Sequence, residues 1–210
     1  MPKEYFGPQQ IFGVTGGSYD GLDIVRTIPK KDLNVISDIH FGGAEGIPES
    51  LKRAVCWFVD CVACMRLWKY GKSVSMLIHT SQRTPRHANI EKKLSYWLEN
   101  TGSARLLDMC RETWEAETSA FGLQKFGEQY PDYSCMESVR DYPPFSDIEP
   151  FVRTLTGMKL THIQMSDEGD LRYNDGIHIC VDNCMNNGVS EEGMYMRIAY
   201  PEKQEDLDRT

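Results

Sequence analysis

What this sequence lacks narrows its function first. No apolar run approaches the ~20 residues that a membrane-crossing helix needs. The longest, around Ala54–Leu67, is interrupted by Asp60 and Arg66. The leading residues, MPKEYFGPQQ, hold no apolar core of the kind that directs secretion. These two absences predict a cytoplasmic protein with no membrane partner. Positive charge is also scarce: 31 acidic against 23 basic side chains leave a net charge of −8. A chain this acidic does not coat nucleic acid with its whole surface, so any such contact must be a local basic patch. An even cysteine count is missing too. Seven cysteines in a cytoplasmic chain read as reduced thiols rather than a disulfide framework.

A complete phosphate-binding loop is the most telling absence. Gly71-Lys72-Ser73 imitates the tail of G-x-x-x-x-G-K-[ST], but the first glycine of that pattern would fall at Arg66. The order of elements is also reversed, because a helix precedes the tripeptide and a strand follows it. Gly71 then reads as a helix terminator. Gly13, Gly16 and Gly17 do not make G-x-G-x-x-G either.

What is present reads as one α/β domain with appendages. Residues 1–47 are glycine-rich and form an irregular, linker-like leading segment; 48–200 form the α/β domain; 201–210 are a charged tail. Pro48 opens a helix, since its missing N–H costs nothing in a first turn. Leu51, Ala54, Val55, Phe58, Val62, Met65 and Leu67 recur at helical spacing, and the breadth of that stripe predicts a deeply set helix. Ser73–His79 is a short apolar strand. Thr84-Pro85 starts a helix to about Glu99, and Ser103 caps another carrying Leu106, Leu107, Met109, Cys110 and Trp114. Residues 122–145 read as a long surface connection. Ser146 with Glu149 resembles a capping box for a helix through Leu155. Strands are predicted at Lys159–Met165 and Gly176–Val181. Helices alternating with short apolar strands argue an α/β fold.

The strand SMLIHTS ends in a His, a Thr and a Ser, and in α/β folds ligands gather at the C-terminal ends of strands. Arg83, Arg86 and His87 follow at a helix start, where amide hydrogens and guanidinium groups suit a phosphate. His79, Ser81, Arg83 and Arg86 are therefore the candidate contacts to a nucleic-acid backbone; the alternative is a solvated turn with incidental charges. Asp182 and Asn183, at the end of the third strand, are the candidate functional acid and its neighbour, or a cap of the turn that follows. Cys61-x-x-Cys64 with His178, Cys180 and Cys184 could in principle hold zinc, but the first pair lies inside an apolar helix and no metal site is expected. Glu91 and Lys93 lack the acidic partner that a metal-dependent nuclease needs.

The stretches PESLKRAVCWFVDCVACMRL, SVSMLIHTSQRT and GIHICVDN resemble the Z-one domain of bacterial helicase-like proteins, with YFGPQQIF and GLDIVRTIP similar to the segment that leads into it. The resemblance implies a partial RecA-like three-layer sheet with a helical insertion, from the second lobe of superfamily-two motors. It implies a context of restriction-modification or phage defence, often labelled endonuclease-like, with DNA and a motor or nuclease protein as partners. Relatives continue into a Leu-Ser-Arg-Gly-Leu-Thr-Leu-Glu-Gly stretch that supplies an arginine for ATP hydrolysis, and this sequence stops at Thr210 without it. Phosphoryl transfer needs a phosphate cradle, a magnesium ligand and usually an arginine. The expectation is thus a truncated gene product or an excised piece, with no cofactor of its own and with ATP and magnesium belonging only to a full-length relative. A standalone metal-dependent endonuclease using Asp182, or a folded remnant without partners, are the alternatives.

Overall fold

A computed structural model describes residues 28–71, 74–81, 84–129, 131–132, 134–157, 163–165, 177–181 and 194–199. Six α-helices occur among them: α1 (Lys30–His40), α2 (Glu49–Leu67), α3 (Thr84–Asn100), α4 (Ser103–Ala120), α5 (Leu123–Gln129) and α6 (Phe145–Gly157). The strands are β1 (Val74–His79), β2 (Ile163–Met165), β3 (Ile177–Val181) and β4 (Met194–Ala199), ordered β2-β3-β1-β4 with every neighbouring pair parallel. Met76 lies opposite Ile179 on one side and Met196 on the other.

The helix α2 is the centre of the core. Leu51, Val55, Phe58 and Val62 are buried, as the spacing predicts, whereas Ala54, Met65 and Leu67 are half-buried and Val59 and Ala63, outside the predicted stripe, are buried too. Pro48 is its N-cap, and the Pro48 carbonyl accepts from Leu51 N and Lys52 N. A residue from another helix completes that cap. The buried carboxylate of Asp32 accepts from the Ser50 amide at 2.8 Å, placing a negative group on the positive end of α2.

The other end of α2 corrects a reading. Gly71 does not terminate the helix. Lys69 does, in the left-handed region at φ 64, with Tyr70 N donating to Met65 O and Lys69 N donating to Arg66 O. This is the double bond of a Schellman ending, normally given to glycine. α1 ends the same way with glycine in the role: Gly42 has φ 80, its N donates to Ile39 O, and Gly43 N donates to Asp38 O. A helix therefore occupies Lys30–His40 inside the stretch read as irregular, and Ile36 and Ile39 carry it into the core. The short helix α5 likewise interrupts the expected 122–145 connection. The Ser146–Glu149 capping box does not form; Glu149 is engaged by Arg153 and Arg111 instead, tying α6 to α4 and holding its carboxyl below the usual range.

The expectation of a partial RecA-like three-layer sheet with a helical insertion is also corrected. The described residues are mostly helical, with helices of 19, 18 and 17 residues against strands of three to six. α2, α4 and α6 pack on one another more extensively than any helix packs on the sheet. In β1, Val74, Met76 and Ile78 are buried, whereas the alternate Ser75, Leu77 and His79 are only half-covered. The broad apolar face of α2 finds its cover chiefly in other helices, and the small sheet is an edge to that cluster rather than the middle of a sandwich.

One carboxyl group sits within this helical core. Asp60 is fully buried, and among the described residues no N–H or O–H group reaches either carboxylate oxygen, which leaves only the thiol of Cys110 as a donor. Burial, with Cys56 beside it, pushes its pKa from 3.8 to about 9; the weak thiol donor Cys110 on α4 offsets little of this. Asp60 is thus a neutral acid at pH 7. The unfolded chain releases that proton near pH 4 and the folded chain holds it to about pH 9, so stability falls as pH rises across that window. In urea titrations between about pH 5 and about pH 9, Asp60→Asn is expected to lose markedly less stability with rising pH than the parent protein. Parallel pH profiles for the two proteins would contradict a neutral Asp60.

Candidate nucleic-acid interface

β1 delivers its last residues to a corner where α1 ends and α3 begins. Ile78 is anchored in the core, His79 is half-buried, and Thr80 and Ser81 are buried as the chain turns toward α3. Two imidazoles hold this turn. His87, in the first turns of α3, is buried, and its Nε2–H donates to the Ser81 carbonyl at 2.6 Å. A carbonyl can only accept, which fixes the proton on Nε2. From the other side, His40 at the last position of α1 has its Nε2 3.0 Å from the Thr80 hydroxyl. Asn89 then ties α3 back to α1, its Nδ2 donating to the His40 carbonyl at 3.0 Å.

Arg86 rises from this corner. Its Nη1 donates to the Ser81 hydroxyl over 3.4 Å, and its guanidinium Cζ lies 5.2 Å from the centroid of the Phe41 ring. Phe41, the C-cap of α1, is 77% exposed. The guanidinium is therefore aimed by a hydroxyl and an aromatic face, and it remains half-buried rather than sealed in.

Among the candidate contacts, the structure brings His79, Ser81 and Arg86 together at one corner. Ser81 is fully buried, so its hydroxyl orients Arg86 and does not itself face outward. Arg83, Asp182 and Asn183 lie outside the described residues, as does Cys184. Sequence reasoning missed His40, Phe41 and Asn89. Ile36 and Ile39 at helical spacing followed by Gly42-Gly43 signal the helix that carries His40 and Phe41, but not what that helix packs against.

The described side chains of this corner offer hydrogen bonds and a guanidinium. Thr80 and His40 have the separation of a nucleophile and its base, but the Thr80 side chain is 1% exposed and out of reach of a substrate. Nor are the Cys64 and Cys110 thiols activated. Burial pushes Cys64 up to about 11, and contact with Cys56 together with burial raises Cys110, the reverse of an activated thiolate. No group of three or more metal-ligating side chains gathers among the described residues. No described helix is long and apolar enough to cross a membrane.

If the His87 bond holds the turn, His87→Leu leaves the Ser81 carbonyl buried without that donor. The expected loss is about 1–3 kcal/mol in urea denaturation. Unchanged stability would mean that the turn is held by other contacts.

No curated protein and no solved structure matches the chain. The sequence model of the Z1 domain family matches residues 50–206, which include α2 from Ser50 onward, β1, α3 and Arg86. With three quarters of its length so matched, the chain belongs to the Z1 domain family.

Proposed function

We propose that this protein is a DNA-associated module that grips the nucleic-acid backbone at the β1–α3 corner and works beside a motor or nuclease partner. Its own role is binding; the nucleotide hydrolysis or strand cleavage belongs to that partner. The observation that carries this reading is the placement of Arg86, a cation held at the C-terminal end of a parallel strand and in the first turn of a helix. Both features favour an anion. The first-turn amides of α3 point toward the corner, and a guanidinium suits phosphate oxygens in a way that a point charge does not. The surrounding charge supports a local contact rather than a coating one. With −8 overall, a productive encounter must concentrate on the few places where positive groups project. The likeness to helicase-like proteins favours a bacterial restriction or phage-defence setting, in which binding modules and motors are separate parts of one machine.

Phosphate contacts leave a signature in salt. Each neutralised phosphate contributes about −0.9 to the slope of log K against log salt on duplex DNA. Arg86→Ala should weaken DNA binding and make that slope shallower by about one; adding Arg83→Ala should shift it further in the same direction. Fluorescence anisotropy across a salt series measures both. A slope identical to the parent protein's in the double variant would remove the corner as a phosphate site.

A further inference from the structure

Phe41 is the most exposed large hydrophobic side chain among the described residues. Exposed aromatics are common on mobile loops, where they carry little meaning. This one sits on backbone held from several directions. Its own N donates to Asp38 O, Gly42 N donates to Ile39 O, Gly43 N donates to Asp38 O, and the preceding carbonyl accepts from Asn89 of α3. The helix behind it is fixed by Ile36 and Ile39 in the core and by Asp32 on the end of α2. The ring is thus displayed on a rigid corner with a guanidinium against it and the polar end of β1 beside it.

We propose that Phe41 is a stacking platform for an unpaired base, which makes single-stranded nucleic acid the ligand of this corner. The inference rests on the nucleic-acid reading given above and adds its substrate class. In a duplex the π-faces of the bases are covered by their neighbours, so a protruding ring finds a face to stack on only where a base is unpaired or splayed out. Single-strand binders combine two elements, an aromatic platform for the base and a cation for the adjoining phosphate. Phe41 and Arg86 supply that pair at a separation of 5.2 Å between Cζ and ring centroid.

The test compares labelled oligothymidylate of about 16 nucleotides, enough to span such a site, with a duplex of equal length by anisotropy. The parent protein is expected to prefer the single strand. Phe41→Ala should lower single-strand affinity roughly ten-fold or more, in line with the loss of one base–aromatic stack, and collapse the preference over duplex. Phe41→Trp should restore it, with indole fluorescence quenched as the strand binds. Three outcomes overturn the proposal. Equal affinity of Phe41→Ala and parent for both DNAs would leave phosphate binding at the corner intact but remove stacking. Failure of the parent protein to bind either DNA would remove the underlying function as well. Loss of self-association in sedimentation by Phe41→Ala, with DNA binding unchanged, would assign the ring to a protein contact.

Discussion

The bond from His87 to the Ser81 carbonyl holds the geometry on which the functional reading depends. A strand that ends in three polar residues would ordinarily turn into solvent. Here two imidazoles close on the turn from opposite sides, one from α3 and one from α1, so that Thr80 and Ser81 are drawn inside. Their burial makes the corner stiff, because each buried polar atom has a specific partner to keep. The same closure brings α1 and α3 together and so sets Phe41 against Arg86.

Below that corner the core follows simpler rules. The face of α2 is apolar over most of its circumference, and it is satisfied by α4 and α6 more than by the strands. Asp60 is the exception inside it. Held neutral by burial, it remains a standing cost to stability at neutral pH that an apolar residue would not carry. Burial likewise raises the thiols of Cys61 and Cys64, and contact with Cys56 together with burial raises that of Cys110.

How much of this was legible in the sequence varied with the range of the interactions. α2, β1, α3 and α4 follow from local apolar spacing, which acts over one or two turns and is visible residue by residue. β3 was visible for the same reason. α1 was not read, because Gly42 and Gly43 suggested irregularity when they in fact close a helix. The exchange of Gly71 for Lys69 as the ending of α2 reflects a strained backbone that composition does not advertise. The three-layer sheet failed as an expectation for a different reason: an alternating order of helices and strands does not say whether a helix covers a sheet or another helix. Arg86 and His79 could be placed from strand-end and helix-start logic. Their neighbours His40 and Phe41, some forty residues upstream, could not, since only the folded chain joins them.

The central claim, that nucleic acid docks on the corner formed by α1, β1 and α3, is tested most directly by photo-cross-linking. A single-stranded oligonucleotide carrying 5-iodouracil, irradiated with the full chain and digested for mass spectrometry, reports which peptide lies against a base. The account predicts adducts on the peptide containing Phe41, competed away by unlabelled single strand. Efficient cross-links confined to peptides distant from that corner would contradict it.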